Sequence, residues 1–205
     1  MVDVMRPAGS AYPGQRELLA AAPVFDWIDR HFLRCDPFAF GHADFQEFAL
    51  RCSKEFKVDP NGIFCGGSGA VGLSINPEKM VEGNLKRFND SSDLDIAIIS
   101  EIHFELAWRN LRERAHPALN VLESDFQQAM KQQKKRFFDG AIVTTKLLSY
   151  LDFGPDWIPA STSLSEHIAI VFDREIDVNF WIYRDYWSLR SYIANGIYRC
   201  KEKAL

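Results

Sequence analysis

The chain has 205 residues, 47% of them hydrophobic and 25% charged, with a formal net charge of -4. That length suffices for one sizeable core, and the acidic balance supplies no bulk attraction for nucleic acid or an anionic membrane. Cys35, Cys52, Cys65 and Cys200 show no Cys-x-x-Cys spacing, which argues against a zinc motif.

Residues 1–14, with Pro7, Gly9, Ser10, Pro13 and Gly14, read as an irregular leader, and residues 15–205 as a single domain. Apolar spacing predicts helices over Gln15–Ala22 and Val24–Leu33, broken at Pro23, and Asp36-Pro37 is a helix start that would align Phe38, Phe45, Phe48 and Cys52 on one face. A turn over Val58–Gly62 leads into a short apolar strand, which runs into Gly66-Gly67-Ser68-Gly69. Ser74–Asp90 looks partly inserted. A second strand follows the turn Asp90-Ser91-Ser92 and begins at Asp93-Leu94-Asp95. Glu101–Arg114 and Glu123–Phe138 read as helices separated by Pro117.

The second of these helices ends in Lys131-Gln132-Gln133-Lys134-Lys135-Arg136, a solvated face whose cations suit a helix C-terminus, with phosphate contact as the alternative. Phe153–Pro159 is expected to be a loop. Glu166–Phe172 and Glu175–Tyr183 are expected to form a hairpin turned by Asp173-Arg174, and Trp187–Ala204 a closing helix interrupted at Gly196. The cysteines read as reduced thiols, and no apolar run reaches about 18 residues, so the expected compartment is the cytoplasm, without membrane partners.

Three segments carry chemistry. Side chains alternate along a strand, so Asp93 and Asp95 leave the same face and repel each other unless a cation lies between them; a hard divalent ion is suited to that place. Gly67 and Ser68 form a turn whose backbone can approach a phosphate closely. Asp177 is a further carboxylate in a run of β-formers, Glu175–Tyr183.

In this order the segments resemble the nucleotidyltransferase superfamily typified by DNA polymerase β, over Gly62–Ser100 and His167–Tyr183. The resemblance implies an α+β fold, a mixed β-sheet nucleotidyltransferase core flanked by helices. It implies that Gly67 and Ser68 hold the triphosphate of an NTP, ATP among the candidates. Asp93, Asp95 and Asp177 would hold two Mg2+ (or Mn2+) ions, Asp177 completing the ion that activates the acceptor. The implied reaction moves an NMP to a protein, tRNA, small-molecule or nucleotide acceptor with release of pyrophosphate. The compact size is similar to minimal bacterial members, including those of toxin–antitoxin or phage-defence systems, where a protein partner is possible. The Ser74–Asp90 insertion departs from the short gap usual between turn and acid pair.

Lys79, Lys86, Arg87, Arg184 and Arg190 are the candidates for a cation on the triphosphate. Phe180, Trp181, Tyr183, Tyr186, Trp187 and Tyr192 read as core, with base stacking by one of them as the alternative. His31, His42, His103, His116 and His167 show no ligand spacing. Two other readings stand beside the enzyme: a catalytically silent nucleotide- or partner-binding module of the same fold, and an α/β domain in which the turn and the acid pair are coincidental.

Overall fold

The computed structural model describes residues 12–116 and 124–204; most of the expected leader and the break at Pro117 lie outside them. Among the described residues there are eight α-helices: α1 Gln15–Ala20, α2 Val24–His31, α3 His42–Phe56, α4 Gly67–Val71, α5 Glu101–Arg114, α6 Ser124–Phe138, α7 Gly154–Phe172 and α8 Tyr186–Ala204. Four strands, β1 Ile63–Cys65, β2 Leu94–Ile99, β3 Ala141–Val143 and β4 Val178–Tyr183, form one sheet in the order β1-β2-β4-β3. β2 runs antiparallel to β1 and parallel to β4, while β3 is antiparallel to β4, so the sheet is mixed. The fold is α+β, with helices on both sides of the sheet.

The sequence of β2 explains its central place. Leu94, Ile96, Ala97 and Ile98 are all buried, a near-continuous apolar run suited to a strand covered on both faces. One face packs Ile96, Ile98, Phe180 and Ile182 with Phe48, Cys52 and Phe56 of α3, Phe104 and Leu111 of α5, Phe126 of α6, and Trp157, Leu164 and Ile168 of α7. The other face packs Ala97, Ala141 and Tyr183 with Leu18 of α1, Trp27 and Ile28 of α2, Val71 of α4, and Ile193 and Ile197 of α8. No helix among the described residues is long and apolar enough to cross a membrane.

Several local expectations need correction. α3 starts at His42 rather than Asp36: Pro37 and Phe38 lie in a connecting segment, where the Phe38 N–H bonds Ala70 and its ring lies against Gly72. The shared apolar face therefore runs Phe48, Cys52, Phe56. The expected loop and hairpin over 153–183 are instead the 19-residue helix α7 followed by β4. Pro155 sits in the first turn, where a missing N–H costs nothing, and Trp157, Ala160, Leu164 and Ile168 recur at three- and four-residue steps on the buried face.

β4 then pairs with β2 and β3 rather than with the segment before it. β3 carries no pattern long enough to announce itself; buried Gln133 of α6 holds it, donating to the Ala141 carbonyl at 2.7 Å and accepting from the Val143 N–H at 3.2 Å. α8 runs unbroken through Gly196, where a side chain would meet the Ile75 carbonyl at 2.9 Å. Cys52, Cys65 and Cys200 are buried and Cys35 is exposed.

The bulkiest fully buried side chain of the larger core is Trp157, stacked on Phe56 with ring centroids 4.1 Å apart and only 2% exposed. Trp157→Ala is expected to cost about 3–5 kcal/mol, the range for emptying a large aromatic site. Urea denaturation would check this; a loss below about 1 kcal/mol would mean that α7 does not depend on this contact.

Candidate functional site

β2 begins at Leu94, so Asp93 and Asp95 stand on one face of the sheet at the head of its central strand. Both open into a cavity of about 960 Å³ between the sheet, α6, α8 and the segment 74–79. Gly67 and Ser68 line the same cavity. The sequence-predicted turn and acid pair are therefore adjacent in space. Gly66 donates its N–H to the Asp95 carbonyl at 2.7 Å, which fixes the turn to β2. Gly67 has φ +54°, and a Cβ there would lie 2.7 Å from Asp95 Oδ2. Only glycine allows both that backbone and that approach.

Asp177 is placed differently. It is exposed and does not line the cavity, although its carbonyl accepts the Leu94 N–H at 2.8 Å. The residue directly across from Asp95 in the parallel β2–β4 register is Asn179. Its Nδ2 reaches Asp93 Oδ2 at 3.4 Å and Asp95 Oδ1 at 3.3 Å, and its Oδ1 accepts from the Thr145 hydroxyl at 3.1 Å. Trp181, two residues on and on the same face, donates its indole N–H to Asp95 Oδ1 at 3.2 Å. Among the described residues no group of three His, Cys, Asp or Glu side chains is gathered closely enough to hold a metal ion.

Of the five expected triphosphate cations, Lys79 is the one that lines this cavity. Its Nζ lies 3.4 Å from Asp93 Oδ1. Arg184 pairs with Glu105 and Arg190 with Asp29. Lys131, Lys135 and Arg136 of α6 line the same cavity together with Lys146, so three of the four cations of the expected basic cluster share it with the carboxylates. Arg136 also sits over the Trp181 ring, 5.3 Å from its centroid. Trp181, Tyr183 and Tyr192 pack against one another and line the cavity, whereas Phe180 belongs to the core and Tyr186 and Trp187 are exposed.

The electrostatics follow from this crowding. Burial first, and the Asp93 charge second, raise the Asp95 carboxyl above the ordinary carboxylate range; the Trp181 and Asn179 hydrogen bonds and Lys79 pull it part of the way back. Burial and then the Asp95 charge push the neighbouring Cys65 thiol up, so it is an inert neutral group. Burial and the neighbouring Tyr192 and Asp95 likewise keep Tyr183 protonated.

Asp93 and Asp95 offer carboxylate oxygens, the donors that a hard cation would prefer. With the exposed Lys79 against Asp93, two such carboxylates would suit a divalent ion of the Mg2+ kind better than a soft metal. No family model, curated protein or solved structure matches the chain.

Sequence reasoning passes over Asn179 and Thr145, and reads Trp181 only as a core or base-stacking residue. Asn179 and Trp181 alternate with apolar neighbours in β4, and that spacing is the one signal that could single them out.

Two outcomes are expected. Because the folded state raises the Asp95 carboxyl, it binds the proton more readily than the unfolded chain does, so this group withdraws stability as pH rises through that interval and keeps it withdrawn above. In metal-free buffer Asp95→Asn should therefore melt higher than the parent at pH 8, with the gap closing toward pH 4. Calorimetry showing parallel pH profiles would contradict it. Gly67→Ala should lose about 1–2 kcal/mol from the left-handed backbone alone and push the Asp95 carboxylate aside; an unchanged chemical-denaturation midpoint would refute that.

Proposed function

We propose that the chain is a metal-dependent nucleotidyltransferase of the DNA polymerase β-like kind, taking an NMP from an NTP to a protein, tRNA, small-molecule or nucleotide acceptor. The observation that carries this reading is the convergence of Asp93 and Asp95 with the Gly67-Ser68 turn at one end of a cavity large enough for a nucleotide. Asp93 and Asp95 are the residues that would hold Mg2+ or Mn2+. When bound, the ion would supply neutralisation of triphosphate charge and polarisation of the reacting oxygens.

The chain's own groups do the positioning. The Gly67-Ser68 backbone and the Ser68 hydroxyl are placed to receive phosphate oxygens beside the acid pair. Lys79, on its loop over Asp93, can release that carboxylate and turn to a phosphate, since its side chain is 43% exposed. Lys131, Lys135 and Arg136 supply positive potential to the same cavity. Transfer of this type depends on orientation and charge rather than on a protein nucleophile, which accords with Cys65 being buried and protonated.

A second reading, a nucleotide-binding module without turnover, is favoured by one placement: Asn179 rather than a carboxylate faces Asp95, with Asp177 outside the cavity.

Labelled NTPs incubated with protein, tRNA, small-molecule and nucleotide acceptors would separate the two readings. The enzyme reading expects label transfer and pyrophosphate release, reduced about 100-fold or more in Asp93→Ala and Asp95→Ala. Variants that release pyrophosphate at the parental rate would refute it. A melting temperature raised by Mg2+ with a non-hydrolysable NTP, without any turnover, would select the binding module.

A further inference from the structure

We infer that the acid pair takes one divalent cation and not two, and that Asn179, locked by Thr145, sets this limit. The inference rests on the metal-dependent reading above and departs from the three-carboxylate, two-ion arrangement that the sequence resemblance implies.

Two independent accounts lead to it. The first is charge. Asp93 and Asp95 contribute two negative charges, and Lys79 already offsets part of that at 3.4 Å. One divalent ion neutralises the pair. A second would leave an excess of positive charge in a partly desolvated cavity whose remaining lining is already net positive even with Glu78, Asp139 and Glu202 counted, and like charges there repel strongly. With Asp177 exposed and away from the cavity, no third carboxylate among the described residues joins the pair.

The second account is lone pairs. Asp95 Oδ1 accepts from both Asn179 Nδ2 and the Trp181 indole N–H, at 3.3 and 3.2 Å, and both of its acceptor positions are taken. Asp93 Oδ2 accepts from the same Asn179 nitrogen at 3.4 Å. Each carboxylate thus keeps one oxygen clear of Asn179 and Trp181: Asp95 Oδ2 beside Gly67, and Asp93 Oδ1 facing only the exposed Lys79. Two such oxygens suit one cation, and bridging a pair of ions would require more.

The orientation of Asn179 is fixed rather than arbitrary. The Thr145 hydroxyl donates to its carbonyl oxygen at 3.1 Å, so the amide NH2 is the end that faces the carboxylates; the reverse would set an amide oxygen against two anions. Asn179 therefore acts as a neutral spacer and a positioning residue. Its N–H groups stand where a carboxylate oxygen would otherwise offer itself to a second ion. Asp, with the same shape, would accept from Thr145 and point an oxygen inward.

The test counts ions directly. Mn2+ alone is titrated into the metal-free full chain, and free Mn2+ is read by electron paramagnetic resonance, with the melting temperature as the folding control. The expected result is one Mn2+ per parent chain, none in Asp95→Ala, and two in Asn179→Asp. Thr145→Val should keep one ion, bound several-fold more weakly because the amide is no longer held, and unchanged affinity would overturn the role given to Thr145. Two ions on the parent, or one ion on a folded Asn179→Asp, would overturn the inference while leaving the nucleotidyltransferase reading intact. No ion on the parent would overturn both. If Asn179→Asp fails to fold, the parent stoichiometry decides alone, one supporting and two refuting.

Discussion

The repulsion between Asp93 and Asp95, held on one face at the head of the central strand, is the constraint around which the surrounding structure is organised. Two carboxylates cannot remain ionised side by side in a crowded cavity without donors or cations close to hand. Here the donors come from the parallel neighbour. Because Asp95 lies across from Asn179, and Ala97 across from Trp181, β4 delivers an amide and an indole N–H to the pair. The glycine at position 67 leaves room for the remaining Asp95 oxygen. A one-residue slip between β2 and β4 would turn all of these groups to the opposite face and leave the pair with neither.

The segment between turn and acid pair, which reads as an insertion, has a physical role in the same arrangement. It folds back on itself through bridges between Leu73 and Arg87 and between Val81 and Asn84, and docks on α8. Gly196 lets Ile75 approach α8 closely, Lys203 donates to the Pro77 carbonyl at 2.7 Å, and Arg199 meets Glu78 at 3.5 Å. Docked in this way, the segment carries Lys79 to Asp93 and forms one wall of the cavity. The closing helix thus shapes the site although it contributes no acid to the pair, which explains why an unbroken α8 through Gly196 is required.

Parts of this were legible in local pattern. The runs Ile63–Cys65 and Leu94–Ile99, the helix Glu101–Arg114 and the carboxylate spacing Asp93-Leu94-Asp95 each announce themselves, because strand and helix periods act over a few residues. The region 153–183 is different. Its Gly154, Pro155 and Pro159 punctuate like a loop, yet Trp157, Leu164 and Ile168 are buried against α3 and the sheet, and that packing outweighs the proline signals. β3, at three residues, is a strand because β4 and Gln133 offer it partners.

Local pattern alone set out the glycine-serine turn after a short strand and a pair of carboxylates on one strand face, since each depends on neighbours within a few residues, whereas the mixed sheet was an expectation of the family resemblance. Only the tertiary structure decided which distant side chain would meet that pair. Asp177 and Asn179 are two residues apart in one β-rich run, and both are polar positions between apolar ones. The register of β4 against β2 places the amide opposite Asp95 and leaves the acid exposed at the strand's edge. Register is fixed by the burial of Phe180 and Ile182 in the core, a long-range energy that no short stretch of chain encodes.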